Sequence, residues 1–315
     1  MGAYSFNKSF LPKWLKKTLK ILFYPLIILK RNIIYWKALN NPRKTTDRKY
    51  FRTFGCHINY ENPESLNEKI HWLKFYSDTS KWPILADKYR VREYLIDKGF
   101  DSILNELYSV YESIDAIDIS NLPNSFVMKM NNGSGDALIV EDKTKFTNKE
   151  IQNYFKKIFR IKYGFKNGEY YYWLMKPYVI AEKYLVDKNT SQSLTDYKFY
   201  CFNGRVEYVL VCYKRSKEGV TLDTYDKYWN HLNNVGVKIS QYKLGDGSVK
   251  KPVSFNRMIE ICMKLSEGIP FIRIDLYEIN ETPIFGEMTL TPAGGFITYY
   301  TKDFLNKLGE NVELF

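Results

Sequence analysis

The chain has 315 residues, 45% of them hydrophobic and 26% charged, with a formal net charge of +12. This composition excludes general disorder and leaves room for one large domain or two to three small ones that share clefts. The basic balance suits an anionic partner, but no helix-turn-helix pattern, zinc-finger spacing or RNP-type aromatic motif occurs, so nucleic acid is not an expected partner.

In chain order, residues 11–36 read LPKWLKKTLKILFYPLIILKRNIIYW. The apolar run Ile21 to Leu29 is short and holds Pro25, whereas a spanning helix needs about 20 apolar residues. No small-residue cleavage site follows it, so a signal peptide is not expected. Lys13, Lys16, Lys17 and Lys20 stand beside Trp14, Leu15, Leu19 and Phe23. That pattern reads either as a helix lying on an anionic membrane surface or as a basic amphipathic helix packed on the protein body. Ser65 and Glu68 form a capping box ahead of apolar residues at helical spacing, Lys69 to Tyr76. A second helix is expected over residues 84–98. From Phe126 the texture turns to strands: Phe126 to Met130, a Gly-rich turn Asn131 to Asp136, then Ala137 to Val140. Residues 148–160 read as a helix and Tyr178 to Val186 as a strand. Asp196 to Cys201 and Arg205 to Tyr213 form a hairpin around Asn203-Gly204. A helix over residues 255–268 precedes strands Phe271 to Tyr277 and Pro283 to Leu290. The mixture means α+β or α/β.

Four scattered cysteines (Cys56, Cys201, Cys212, Cys262) contain no CxxC pair, which fits a reducing compartment and argues against disulfides or structural zinc. His57, His71 and His231 are too dispersed for a metal site, and a satisfied structural role is expected for each.

Three segments carry chemistry. Lys129 precedes the loop Gly133-Ser134-Gly135, which is either a plain hairpin or a cover for phosphates. It is neither a P-loop nor a GxGxxG turn. Ala181 to Asp187 is either an edge with a solvated face or a strand whose backbone reads adenine, with Lys198 one hairpin away. The third segment is the sharpest. Residues two apart on a strand face the same way, so Arg273 and Asp275 share one face and Glu287 and Thr289 share another. If the two strands pair, two carboxylates, a hydroxyl and a guanidinium converge. Such carboxylates with phosphates and water make a Mg²⁺ site, and the arginine can stabilise developing negative charge. A surface ion pair is the plain alternative, but the flanking residues look buried, and buried carboxylates need partners.

Together these segments resemble the ATP-grasp superfamily, in its TupA-like branch, named for teichuronopeptide synthesis and met in surface-polysaccharide clusters. The matching pieces are Asn62-Pro-Glu-Ser-Leu-Asn-Glu-Lys-Ile, Ala86-Asp-Lys-Tyr-Arg-Val-Arg-Glu-Tyr, Leu122-Pro-Asn-Ser-Phe-Val-Met-Lys, Asn132-Gly-Ser-Gly, Ile180-Ala-Glu-Lys-Tyr-Leu, Asp196-Tyr-Lys-Phe-Tyr-Cys-Phe-Asn-Gly and Gly286-Glu-Met-Thr-Leu-Thr-Pro-Ala-Gly-Gly.

The resemblance implies an α+β ATP-grasp fold with its nucleotide site between two subdomains. The expected parts are a basic N-terminal segment (1–45), a helical subdomain (46–125), a small subdomain with Gly-rich loop and hinge (126–190) and a C-terminal subdomain with the metal site (191–315). It implies ATP and Mg²⁺ as cofactors. Lys129 and Lys198 would hold phosphates beneath Gly133, Ser134 and Gly135. Glu182, Lys183, Tyr184 and Leu185 would form the adenine hinge. Asp275 and Glu287, with Thr289, would bind metal, and Arg273 would stabilise the tetrahedral intermediate. Two positions depart from the pattern: Thr289 stands where many such ligases carry Asn, and Asn131 where His is favoured. The activity implied is carboxylate–amine ligation through an acylphosphate. The implied substrates are a uronic acid of a surface glycan and an amine. The expected place is the cytoplasm, with peripheral contact to anionic membrane. The rivals are a metal-independent glycosyltransferase, a non-catalytic glycan- or membrane-binding protein, and a kinase-like phosphotransferase.

Overall fold

The computed structural model describes residues 24–159, 163–186, 193–216 and 218–314. The residues Lys13, Lys16, Lys17, Lys20, Trp14, Leu15, Leu19 and Phe23, and Asp187 beyond the hinge strand, lie outside this range.

Two helices open the described chain, α1 (Tyr24–Asn40) and α2 (Pro42–Phe54). The break between them is local chemistry. Asn41 caps α2 by accepting from Lys44 N at 2.8 Å, and Pro42, lacking an N–H, takes the first helical position. The expected capping box forms at α3 (Leu66–Tyr76), with Ser65 and Glu68 bonded reciprocally. The single helix expected over residues 84–98 is instead two short ones, α4 (Trp82–Leu85) and α5 (Val91–Asp97). Asp87 causes the split: its Oδ1 accepts from Tyr89 N at 2.8 Å and Arg90 N at 3.1 Å, a local turn that competes with helix continuation.

Two antiparallel-based sheets follow. The smaller has the order β1-β4-β2-β3, from Leu107–Tyr111, Val179–Lys183, Phe126–Met130 and Leu138–Val140. Its first strand comes from the region read as helical. The helix α6 (Asn148–Phe159) covers it, with Ile151 and Phe155 buried against Phe126, Met128 and Val179.

The larger sheet runs β10-β9-β5-β6-β7-β8. Its hairpin β5 (Asp196–Phe202) and β6 (Arg205–Ser216) turns at Asn203 and Gly204, both at positive φ (46° and 79°), as the Asn-Gly pair predicts. Strands β7 (Gly219–Asp226) and β8 (Tyr242–Leu244) extend it on one side, and β9 (Ile272–Ile279) and β10 (Thr282–Thr289) on the other. Helix α7 (Phe255–Leu265) packs on this sheet, and α8 (Lys302–Glu310) packs against α3. Each sheet has its own apolar core, and the polar ends of both face a common cleft.

Candidate functional site

The cleft holds roughly 270 Å³ and is lined by Gly133 and Ser134 from the small sheet and by Lys198, Arg273, Glu287 and Thr289 from the large one. Strand register explains the second group. Lys198 lies opposite Asp275 across the β5–β9 pair, and Asp275 lies opposite Glu287 across β9–β10. Three neighbouring strands therefore set Glu287, Asp275 and Lys198 in one row. A bulge at Gly286 makes the second pairing possible. A Cβ there would stand 2.9 Å from the Asp275 carbonyl oxygen, so only glycine lets the strands approach this closely.

The row is a continuous charge network. Arg273 grips Asp275 bidentately, Nε to Oδ1 at 2.7 Å and NH2 to Oδ2 at 2.8 Å. The same nitrogen reaches Glu287 Oε1 and Thr289 Oγ1, each at 3.2 Å. Lys198 Nζ lies 2.5 Å from Asp196 Oδ2 and also donates to Asp275 Oδ2. Burial alone would raise the Glu287 carboxyl, but the cations Lys88, Arg273, Lys198 and Lys129 outweigh it and hold it at about 2. Burial works against the charge on Lys198, yet Asp196 and Asp275 keep its pKa above the ordinary lysine value. One oxygen of Asp196, Oδ1, is buried without a protein partner among the described residues.

Across the cleft, Lys129 Nζ pairs with Glu182 at 2.6 Å, and Arg92 stands 3.8 Å from the same carboxylate. Lys183, next along, is exposed and pairs with Glu106 at 3.4 Å; Tyr184 and Leu185 follow, partly exposed. In the Gly-rich loop Gly135 takes positive φ (73°), and Gly133 packs so tightly on Asp136 that a Cβ would lie 2.4 Å from Oδ2. Asn131 does not face the cleft. It is fully buried, donates to Asp87 at 2.7 Å and accepts from Tyr178 N at 2.7 Å, so it anchors the loop.

Three residues have no role in the sequence reading. Lys88 sits in the turn that Asp87 makes, donates to the Gly133 carbonyl and lies 3.4 Å from Glu287, bridging the two halves of the site. Its signal was the Ala86-Asp-Lys-Tyr-Arg motif itself, hidden by the expected helix. In the wall of the cleft, Glu169 accepts from Thr291 at 2.6 Å and from Asn167 at 2.8 Å. Lys74, fully buried, donates to the Asn167 carbonyl at 2.7 Å and contacts His71 Nδ1 at 3.0 Å. This group seats the segment Pro292–Gly295, where Ala293, Gly294 and Gly295 all have positive φ. Gly294 packs on Asn167 and Gly295 on His71, and neither contact leaves room for a side chain. His71 Nε2 lacks a partner among the described residues, a correction to the expectation that every histidine is satisfied, whereas His57 and His231 pair with Asp47 and Asp223.

A bound metal must fit these donors. No cluster of three or more His, Cys, Asp or Glu occurs among the described residues. Two carboxylates on adjacent strands, with cations placed to receive phosphate oxygens, match the way Mg²⁺ is held jointly by protein and nucleotide. The arrangement thus fits a metal–nucleotide pair better than an isolated ion.

The family model described as TupA-like ATPgrasp matches residues 68–313. No curated protein matches the chain. Among solved structures, D-alanine-D-alanine ligase from Helicobacter pylori aligns at 17% identity with TM-score 0.47, over 80% of this chain and 70% of that one. D-alanine-D-alanine ligase from Bacillus anthracis complexed with ATP aligns at 14% and 0.42, over 73% and 65%. L-amino acid ligase from Bacillus licheniformis aligns at 15% and 0.41, over 77% and 53%. The chain thus spans between 53% and 70% of the length of these proteins, and likenesses this distant carry no weight for individual residues.

Proposed function

The chain belongs to the TupA-like ATP-grasp family, and from that premise we propose that it joins a carboxylate to an amine through an acylphosphate, at the cleft between its two sheets. It is an ATP-dependent ligase that works with Mg²⁺. The observation that carries the reading is the row Lys198, Asp275 and Glu287 on three adjacent strands, facing Lys88 and the Gly133-Ser134 loop.

In the reaction a carboxylate oxygen of the substrate takes the terminal phosphoryl group of ATP, and ADP leaves. The amine nitrogen then attacks the acyl carbon, loses a proton and expels phosphate, leaving an amide. Lys88, Lys129 and Lys198 hold phosphate oxygens through point charges, and the backbone of Gly133 and Ser134 covers them. Asp275 and Glu287, with Thr289 beside them, would hold Mg²⁺, which supplies neutralisation of the charge on the transferring group. Arg273, fixed by two bonds to Asp275, presents its guanidinium to the oxyanion formed when the amine attacks. The backbone of Glu182 to Leu185 reads the adenine. No side-chain nucleophile is required.

The substrates proposed are a uronic acid of a surface polysaccharide, such as a capsule, O-antigen or teichuronic polymer, and an amino acid or other amine. The support is the TupA-like character of the motifs. Calorimetry with Mg-ATP on the wild type and on Asp275→Asn/Glu287→Gln tests the site. Magnesium-dependent binding lost in the variant supports it, and screening uronic acids with amines for ADP release and amide product follows. Absence of nucleotide binding to folded wild type overturns it. Lys88→Met, which leaves the buried carboxylates paired, should weaken binding without unfolding the protein.

A further inference from the structure

The charge of this protein is unevenly placed. Residues 1–54 contain thirteen Lys and Arg against one acid, Asp47, while residues 55–315 contain 34 of each sign. The whole excess of +12 therefore falls in the first sixth of the sequence. Among the described residues, Lys30, Lys37, Lys44, Arg48 and Arg52 are exposed and pair with no carboxylate.

The same segment exposes apolar side chains in a pattern. On α1, Leu26 is 59% exposed, Leu29 56%, Ile33 45% and Trp36 64%. The spacing of three, four and three residues puts all four on one face. The opposite face packs on the body: Ala38 is buried, and Tyr35 meets Phe165 and Trp173 edge-on at 5.9 and 6.1 Å. Lys30 and Lys37 border the exposed stripe. We propose that α1 and α2 form a docking surface for an anionic lipid bilayer, with Leu26, Leu29, Ile33 and Trp36 inserted at the headgroup boundary and the surrounding cations on the lipid phosphates.

The pairing of features selects the partner. Cations alone would serve nucleic acid equally, but a stripe of Leu, Ile and Trp gains free energy only where hydrocarbon receives it. The long lysine stems reach headgroups while the stripe is immersed. No described helix is long and apolar enough to cross a membrane, and α1, about 26 Å long by its rise per residue, is interrupted by Lys30, so it lies in the interface. Docking places the cleft one layer from the lipid: on α2, Thr46 donates to the Asn167 carbonyl at 3.1 Å and Lys49 to its side chain, and Asn167 lines the cleft. A substrate carried on lipid would then reach the site without leaving the surface.

The test is sedimentation of the full-length protein with vesicles of phosphatidylcholine, pure or with about one third phosphatidylglycerol. The wild type should bind the anionic vesicles, bind neutral ones weakly, and release with salt. Leu29→Ser/Ile33→Ser/Trp36→Ser should lower the partition coefficient at least about tenfold, and Lys30→Glu/Lys37→Glu should do so by a similar factor. Both variants should keep the thermal midpoint and Mg-ATP binding of the wild type, since the altered side chains face solvent. No binding to anionic vesicles, equal binding by wild type and variants, or tighter retention on duplex DNA than on vesicles would each overturn the proposal. Calorimetry on the same samples keeps that failure distinct from failure of the nucleotide site.

Discussion

Two buried lysines show opposite ways of placing a cation inside this fold. Lys198 in the cleft touches two carboxylates, Asp196 and Asp275, and stays charged against the cost of burial. Lys74, behind the Pro292–Gly295 segment, touches a histidine nitrogen and a carbonyl oxygen instead. Burial pushes Lys74 down to about 7; Glu169 opposes this, and Lys49 adds to the fall. Glu169 gives its own oxygens to Thr291 and Asn167 rather than to the ammonium. The charged lysine belongs where phosphate would arrive, and the other serves as a hydrogen-bond donor that holds a loop. Burial alone therefore does not mark a reactive lysine; its partners decide.

The largest effect that would break this contrast is Asp275→Ala, which removes the carboxylate that Arg273 and Lys198 share and leaves Lys198 only Asp196 and Arg273 only Glu287. It should cost about 3–5 kcal/mol in urea unfolding and abolish Mg-ATP binding. A loss below about 1 kcal/mol would mean the row is not a cooperative unit. Lys198→Met should cost about 3 kcal/mol, since Arg273 still compensates Asp275 while Asp196 keeps only the more distant Arg215, at 3.9 Å. Acid titration sharpens the picture. Glu287 is held at about 2, below its ordinary 4.5, so its contribution is present above 4.5 and vanishes as pH falls toward 2. In Glu287→Gln the acid loss of stability should be shallower by up to ~2 kcal/mol, allowing for partial exposure.

Near pH 6 the smallest effect of a substitution is expected at Lys74. Its folded value near 7 lies below the 10.5 of the unfolded chain, so the unfolded state binds more protons between these limits. Stability should then rise with pH from about 7 to about 9, by at most ~1.4 kcal/mol per pH unit, and Lys74→Met should flatten that rise. Near pH 6 the same variant should cost under ~1 kcal/mol and leave nucleotide binding intact, because it removes a cation that burial already disfavours. Loss of Mg-ATP binding in Lys74→Met would erase the distinction between the two lysines.

Local signals were readable where the chemistry is local. The Ser65–Glu68 box, the Asn203-Gly204 turn and the period-two pattern around Arg273 and Asp275 each act within a few residues, and each appears in the structure. The chain order of the motifs was enough to point to the ATP-grasp family, because order survives when individual matches are modest. Signals that rest on competition between local options were misread. Asp87 ends a helix that apolar spacing alone would continue, and that break puts Lys88 into the cleft. Strand β1 pairs with β4 from more than 60 residues away, so nothing in its own neighbourhood identifies it.

The sequence by itself determined the residue types for phosphate and metal, the capped helices, the hairpin turn and the concentration of charge before residue 55. Only the tertiary structure decided that Lys198, Asp275 and Glu287 form one row, that Lys129 answers to Glu182, and that Lys74, His71, Asn167 and Glu169 support the Pro292–Gly295 segment. The physical reason is that backbone preferences and hydrophobic periodicity act over a few residues. Strand register and the partners of a buried charge are fixed by surfaces that meet only when distant segments have packed.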